Sequence, residues 1–221
     1  MSAKGVFLTV LSAALASSAQ DVMNVGSADY KVEIDNQWVR VLRVNHPAGA
    51  KVAMHEHPAS VAVFLTDVHE RITGADGKAR DVNVEVGEVA FNEAAKHAEE
   101  NIGTKPLEAV IIELKPGAPR SPPISLDPVK TDPKHHPVLL ENDRVRVIKT
   151  ILEPHLKAPE HEHPHYVVVY LTDLHTTMKL ADGRVLDNPR KPGDIAWRDA
   201  LKHQAVQEGA NTAVEIQVEI K

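Results

Sequence analysis

Residues 55–58 read His-Glu-His-Pro, and residues 161–164 repeat the same four residues. An offset of 106 residues aligns residues 36–115 with residues 142–221 without a gap. Many aligned pairs are identical, and among them are four pairs of histidines: His55/His161, His57/His163, His69/His175 and His97/His203. The repeated unit is far longer than the unit of a solenoid protein. We therefore predict a tandem duplication of one domain.

The composition limits the chemistry that the chain can perform. It has 221 residues, 13 histidines and no cysteine. Without cysteine there are no disulfides, thiolate nucleophiles or cysteine-bound metals, so His, Asp and Glu remain as the strong metal ligands. The net charge of −6, with both signs interspersed, provides no basic patch for nucleic acid or anionic lipid. We therefore expect a small-molecule substrate or ligand and no nucleic-acid partner, while a homo-oligomer is left open.

The first residues have the layout of a secretory signal peptide. Lys4 precedes an apolar run over residues 6–16, and small residues end at Ala19. This pattern predicts a signal at residues 1–19, which is too short to cross a membrane, and a periplasmic or secreted mature protein with no membrane span. The alternative is a helical or disordered N-terminal extension.

Short apolar segments separated by turn residues predict an all-β fold. Residues 31–44 alternate between apolar and polar, residues 61–65 (Val-Ala-Val-Phe-Leu) form a denser apolar strand, and the Asp-Gly pair at 76–77 predicts a tight turn. The second half repeats this order. Residues 93–100 are strong helix formers and, taken alone, predict a short helix, although we expect the sheet to override this preference.

Proline-rich and aperiodic segments predict the domain limits. Residues 116–137 contain prolines at 116, 119, 122, 123, 128, 133 and 137, which is typical of an extended linker. Residues 21–28 have no periodicity and are interpreted as a flexible lead. We therefore predict one domain at 30–115 and a second at 138–221.

The repeated histidines predict metal sites. A strand sends residues i and i+2 to the same face, so His55 and His57 share a face, and Glu56 points to the opposite, solvated side. His161, His163 and Glu162 repeat this arrangement. His97 and His203 are the further histidines kept in register and are predicted as the third ligands. The alternative is that the histidines lie on the surface of a polar hairpin.

These residues resemble the two motifs of the cupin superfamily. The first motif is a glycine, five residues, His-x-His, a glutamate four or five positions later and a glycine; the second is a glycine, a proline-containing stretch, a histidine, three residues and an asparagine. The first half matches at Gly49, His55, His57, Gly87, His97 and Asn101. The second half matches at His161, His163, Gly193 and His203, with His155 and Gln207 at the first glycine and the asparagine. The resemblance implies two tandem cupin-type jelly-roll β-barrels, a bicupin.

The glutamate of the first motif is absent from both halves. Residues 58–62 are Pro-Ala-Ser-Val-Ala and residues 164–168 are Pro-His-Tyr-Val-Val. Each half therefore resembles the three-histidine sites of the cysteine-dioxygenase-like and diketone-cleaving branches. Such a site would hold a divalent transition metal, Fe, Mn, Cu, Ni or Zn.

The resemblance implies a metal-dependent bicupin that acts on a small oxygenated substrate. The reaction would be that of a dioxygenase-like oxidoreductase or of an isomerase or lyase. The alternatives are a non-catalytic bicupin that binds metal or a small ligand, and a metal-free structural duplicate.

Two further pairs of histidines differ in their expected roles. His69 and His175 are candidate catalytic residues that would shuttle a proton or orient a ligand imidazole, and the alternative is that they are exposed strand residues. His135 and His136 have no partner at a fixed spacing and are assigned to the linker loop.

Overall fold

The computed structural model describes residues 20–26 and 28–221, which are mostly β-strand. The predicted signal peptide, residues 1–19, lies outside the described residues. Within the described ranges, no helix has the length and apolar character needed to cross a membrane. The all-β prediction is confirmed.

The strands of the two halves follow the same order. In the first half these are β1 (Gln20–Asp21), helix α1 (Val22–Val25), β2 (Tyr30–Asp35), β3 (Val39–His46), β4 (Lys51–His57), β5 (Ser60–Phe64), β6 (Val68–Gly74), β7 (Ala79–Val84), β8 (Val89–Asn92), β9 (Ala95–Asn101) and β10 (Leu107–Leu114). In the second half these are helix α2 (Pro128–Thr131), β11 (Val138–Glu141), β12 (Val145–Leu152), β13 (His161–His163), β14 (Tyr166–Tyr170), β15 (Leu174–Leu180), β16 (Val185–Arg190), β17 (Ile195–Arg198), β18 (Leu201–Gln207) and β19 (Ala213–Ile220).

Each half consists of two sheets, which we call its central and its outer sheet. The central sheets have the strand orders β2-β3-β10-β5-β8 and β11-β12-β19-β14-β17. The outer sheets have the orders β1-β4-β9-β6-β7 and β13-β18-β15-β16. From β3 to β6, consecutive strands alternate between the two sheets, as in a jelly roll. The predicted turns hold, because Gly77 and Gly183 adopt φ of 78° and 86° between the paired strands β6/β7 and β15/β16.

The two central sheets pack against each other across the halves. Their facing side chains form one apolar cluster that includes Val61, Ile112, Val167, Ile216 and Val218, each fully buried. Every second residue of β10 and β19 faces this cluster, and the residues between them face the interior of their own half. Burial on both faces accounts for the continuous apolar run at residues 109–112 of β10, whereas the inward face of β19 carries three buried polar side chains, Glu215, Gln217 and Glu219. The halves therefore share a core and are not joined by the connecting chain alone.

Two segments predicted to be unstructured contain short helices. In the predicted lead, the Asp21 carboxylate accepts the amide of Met23 at 2.9 Å and caps α1. In the predicted linker, the Asp127 carboxylate accepts the amide of Val129 at 3.0 Å and caps α2. A four-residue helix is too short to leave a periodic pattern, so the sequence interpretation missed both. The domain limits at 115 and 138 stay a prediction.

The segment with high helix propensity is strand β9. It pairs with β4 on one side and β6 on the other, which satisfies its backbone hydrogen-bonding groups on both edges. Alternation then places His97, Glu99 and Asn101 on one face, toward the interior of the first half. This arrangement of backbone partners overrides the local preference, as expected.

Candidate metal centres

The first-half centre is built from two neighbouring strands of the outer sheet. The register between β4 and β9 places His55 opposite His97. His57 follows on the same face of β4, and Glu99 follows on the same face of β9. One ligand atom from each of these four side chains lies within 4.8 Å of the others.

The second-half centre has the same arrangement of three histidines on two paired strands, without the carboxylate. The register between β13 and β18 places His161 opposite His203, and His163 completes the group with ligand atoms within 4.8 Å of one another. Ala205 occupies the position that corresponds to Glu99. The two halves therefore offer different ligand sets, three histidines and a glutamate in the first and three histidines in the second.

The first-half ligand set corrects the prediction that both centres lack a carboxylate. The glutamate comes from the strand of the third histidine, and not from the strand that follows His-x-His. His97 and Glu99 are two residues apart on one strand, so both point inward, and Nε2 of His97 lies 2.9 Å from Oε1 of Glu99. Burial raises the pKa of Glu99, but the hydrogen bond and charge of His97 and the hydrogen bond from Tyr30 outweigh it and lower the pKa to about 2.

Backbone carbonyls fix the tautomer of the first ligand in each half. Nδ1 of His55 donates to the carbonyl of Ala53 at 2.8 Å. Nδ1 of His161 donates to the carbonyl of Pro159 at 2.8 Å. With the proton on Nδ1, the Nε2 lone pair of each ring is free to bind a metal.

The free nitrogens fit a divalent transition metal. Among the described residues, Nε2 of His55, Nε2 of His163 and both ring nitrogens of His203 are buried and have no hydrogen-bond partner. Burial also lowers the pKa of all three side chains, so they are held as neutral imidazoles, the form that binds metal. Unpartnered buried nitrogens are costly, and a metal ion would satisfy them.

The second ligand in each half is held by a chain of ionic groups that the duplication preserves. In the first half, Nδ1 of His57 donates to Oε1 of Glu113 at 2.7 Å, and the other oxygen of Glu113 accepts from Arg40. Arg40 also pairs with Asp21 at 2.7 Å, the residue that caps α1. A carboxylate partner of this kind orients the ligand imidazole and increases its basicity.

The second-half chain has the corresponding residues. Nδ1 of His163 donates to Glu219 at 2.8 Å, Arg146 donates to Glu219 at 2.7 Å, and Arg146 pairs with Asp127 at 2.9 Å. Asp127 caps α2 as Asp21 caps α1. The repeat therefore extends to the short helices, which anchor these chains.

Removing the arginine from one chain should weaken metal binding in that half alone. Arg40→Met would leave Glu113 without its ionic partner, and we expect about 10–100-fold weaker metal binding at the first-half centre. Arg146→Met is the matched variant for the second-half centre. Chelator competition on each protein measures the two affinities, and equal weakening of both centres by either variant would contradict the assignment.

A second cluster adjoins the first-half centre and shares Glu99 with it. Nδ1 of His46 lies 3.4 Å from Oε1 of Glu70, and Nε2 of His46 lies 3.9 Å from Oε2 of Glu99. Burial raises the pKa of Glu70, partly offset by His46. The sequence interpretation missed His46 and Glu70 because neither recurs in the second half.

All three residues of this cluster are replaced together in the second half. The corresponding residues are Leu152, Thr176 and Ala205. An acidic cluster beside the metal ligands is therefore a property of the first half alone.

The structure places the predicted catalytic histidines away from both centres. His69 and His175 are exposed, and Nε2 of His175 lies 2.6 Å from Oδ1 of Asp187 on the surface. Because side chains alternate along a strand, the inward residues are their neighbours, Glu70 and Thr176. This placement corrects the interpretation of His69 and His175 as catalytic residues.

Two other sequence interpretations agree with the structure. Glu56 and Glu162 point away from the centres, as predicted: Glu56 is exposed, and Glu162 accepts the amide of Ser125 at 2.7 Å. His135 and His136 lie in a loop, as assigned, but His136 contacts the second-half centre. His136 is buried, and its ring centroid lies 5.3 Å from that of His161.

Comparisons with known proteins identify the fold. No family model matches the sequence, and no curated protein matches it. Among solved structures, AerE from Microcystis aeruginosa is 13% identical, with 87% of this chain and 91% of that chain covered and a TM-score of 0.63. A cupin 2 conserved barrel domain protein from Leptotrichia buccalis is 11% identical, with 87% and 88% covered and a TM-score of 0.56. The chain has a duplicated cupin fold.

Oxalate decarboxylase from Bacillus subtilis matches this bicupin as well. It is described with Mn(II) centres and is 12% identical, with 87% of this chain and 75% of that chain covered and a TM-score of 0.57. At these identities the likeness shows the fold, and the chemistry of the bicupin has to be inferred from its own residues.

The two halves of the bicupin differ most in the space beside the metal ligands. A cavity of about 750 Å³ adjoins the first-half centre and is lined by His57, His97 and Glu99. The cavity beside the second-half centre measures about 30 Å³, the space of a water molecule. Tyr166 and Tyr170 fill that space, where the first half has Ser60 and Phe64.

A buried carboxylate in the second half of the bicupin gives a pH-dependent stability. Glu215 accepts a hydrogen bond from Nε2 of Gln217 at 2.7 Å, and burial raises the pKa of Glu215 from 4.5 to about 7. The pKa of Glu215 is higher in the folded chain than its ordinary value of 4.5, which applies to the unfolded chain. The contribution of protonated Glu215 to the free energy of unfolding is therefore fully present below about pH 4.5. This contribution is lost as the pH rises through 7, on the order of 3 kcal/mol.

Glu215→Gln should therefore stabilise the metal-free protein above pH 7. We expect a larger free energy of unfolding than that of the unmodified chain at pH 8 and a flatter pH profile between pH 5 and 8. Urea denaturation after chelation measures both, with the exposed Glu208→Gln as the control. Parallel pH profiles for the unmodified chain and Glu215→Gln would contradict the prediction.

Proposed function

We propose that this bicupin is a metal-dependent enzyme that carries out its reaction in the first half, while the second half holds a structural metal. One observation carries the proposal. Ligand residues adjoin a cavity large enough for a substrate in the first half, whereas the corresponding space in the second half has room for about one water molecule. A catalytic metal needs an open position for substrate, and a structural metal is enclosed.

The ligand set of the first half suits manganese or iron. Three imidazoles and one carboxylate, from His55, His57, His97 and Glu99, combine nitrogen and oxygen donors that these ions accept. The Mn(II) centres named for oxalate decarboxylase are consistent with this choice. When bound, the ion would supply Lewis-acid polarisation of a substrate oxygen.

Two carboxylates beside the centre have environments that separate their roles. The pKa of Glu99 is low, which keeps it ionised as a ligand, whereas burial raises the pKa of Glu70. Glu70 lines the cavity, and Oε1 of Glu70 has no hydrogen-bond partner among the described residues. Such a pair is typical of one ionised group and one proton-transfer group.

We assign proton transfer to Glu70. It would exchange a proton with a substrate carbon or oxygen in the cavity, and His46, 3.4 Å away, would orient it. This chemistry is that of a lyase or isomerase acting on a small oxygenated substrate.

A dioxygenase-like oxidoreductase is the second candidate. Ala62 lines the cavity near the position where the glutamate of the first cupin motif would stand, so that side of the centre carries no carboxylate. The free side leaves room for dioxygen beside a substrate.

Turnover by the metal-loaded protein tests the proposal. Small 2-oxo acids, hydroxy acids and diketones are incubated with the protein, and products are followed by NMR while an oxygen electrode separates the two candidates. Glu70→Gln should lower kcat by about 10²–10⁴-fold without loss of metal, and Thr176→Val, at the equivalent position, should not. Absence of turnover with every class of compound, or full activity of Glu70→Gln, would overturn the assignment.

A further inference from the structure

We propose that the first-half cavity takes a substrate with an apolar body and an oxygen-bearing head, larger than a two-carbon acid. The head, a 2-oxo carboxylate or an enolisable carbonyl, lies at the metal ligands, and the body lies along the apolar wall. The inference rests on the proposed function for the position of the head, and on the wall of the cavity for the body.

Buried or half-buried polar side chains line the cavity at the metal centre, and apolar side chains form much of the remaining wall. Exposed charged side chains also line the cavity: Asp76, Lys78, Arg80, Glu88, Glu93 and Lys96. His57, His97, Glu99 and Glu70 lie at the metal centre. The wall includes Phe64, Val68, Ile72, Val82, Val84 and Ile111. Several of these side chains are only half-buried, so they keep apolar surface that a ligand can cover.

The size of the cavity favours a ligand of more than a few atoms. Pockets of about 300–1,000 Å³ hold drug-sized ligands, and the cavity of about 750 Å³ falls in that range. A two-carbon dicarboxylate at the centre would leave most of the apolar wall in contact with water. The wall would then contribute nothing to recognition.

In the second half, polar side chains replace three apolar wall residues of the first-half cavity. There Asn188 and Arg190 replace Val82 and Val84, and Gln217 replaces Ile111. Asn188 Oδ1 accepts from Arg190 at 2.9 Å and from Arg198 at 2.8 Å, and the Arg190 guanidinium lies 5.4 Å from the ring centre of Tyr170. The open apolar wall therefore occurs in the half that also has the fourth metal ligand and Glu70.

A series of straight-chain 2-oxo acids tests the inference with the manganese-loaded protein. The probes are glyoxylate, 2-oxobutanoate, 2-oxohexanoate and 2-oxooctanoate, and calorimetry gives the dissociation constant of each. Burying a methylene contributes ~0.8 kcal/mol, so we expect about fourfold tighter binding per added methylene. Equal affinity across the series, or tightest binding of glyoxylate, would overturn the inference.

Variants that carry the second-half residues locate the body of the ligand. Val84→Arg changes a half-buried residue on the edge strand β7, and Ile111→Gln places an amide in the wall. Both should remove the gain with chain length while keeping the metal content and the affinity for glyoxylate. Arg190→Val, in the closed half, is the matched control and should leave the series unchanged. A chain-length gain that survives both wall variants would contradict the inference.

The outcome is separable from that of the proposed function. Binding that increases with chain length, without turnover of any compound, would support the ligand class and overturn the catalytic proposal. Turnover of small acids, with an affinity that does not increase with chain length, would support the catalytic proposal and overturn the ligand class.

Discussion

His55→Ala should remove the metal from the first half and leave the second half loaded. His55 is fully buried and contributes a nitrogen that no other described group satisfies, so its loss opens the coordination sphere at its centre. We expect metal affinity at that centre to fall by more than the ~100-fold typical of losing an outer partner. Elemental analysis should then show one ion per chain in place of two.

His161→Ala is the matched variant in the other half. It should remove the second-half ion, while turnover at the first-half centre persists. Circular dichroism checks that both variants remain folded. Retention of both ions by both variants would contradict the assignment of the two centres, and loss of both ions from either variant would contradict their independence.

Ile216→Ala should destabilise the whole chain, because Ile216 lies in the core shared by the two halves. Its side chain is fully buried between the central sheets. Truncation leaves a cavity in a packed core, for which we expect a loss of about 2–5 kcal/mol in the free energy of unfolding. If the halves were independent, this face would lie on the surface of one domain and the loss would be small.

Tryptophan fluorescence in urea provides the measurement. Trp38 and Trp197 belong to different halves, and their rings stack with centroids 5.2 Å apart, so their emission reports on the contact between the halves. Val185→Ala, at a position 63% exposed on β16, is the control and should change the free energy by less than about 0.5 kcal/mol. A loss below 1 kcal/mol for Ile216→Ala, or two separate transitions in the unmodified chain, would count against a shared core.

The fold and the histidine ligands were accessible from the sequence because they depend on local pattern. Strand alternation puts His55 and His57 on one face, and the 106-residue repeat selects the third histidine of each half. Glu99 obeys the same alternation two residues after His97. It could have been found by applying to β9 the rule applied to β4, had the segment not favoured a helix.

Other features left no local signal. His46 and Glu70 do not recur in the second half, so the repeat could not identify them. Around His69 the alternation shows that neighbouring residues face opposite sides of the sheet, but it does not show which side is the interior. The ionic chain from Asp21 through Arg40 to Glu113 joins residues far apart in sequence. Only strand pairing brings its members together.

The sequence by itself determined an all-β fold and predicted a duplicated chain with three candidate histidine ligands per half, because repeats and strand alternation can be read from the order of the residues. The tertiary structure decided that the halves share a core and that one centre gains a carboxylate and an open apolar cavity while the other is filled. Those differences depend on which side chains meet across sheets. Ser60 and Val84 line an open cavity in the first half, whereas the equivalent Tyr166 and Arg190 belong to the closed second half. These differences could be recognised only once the surrounding side chains were placed.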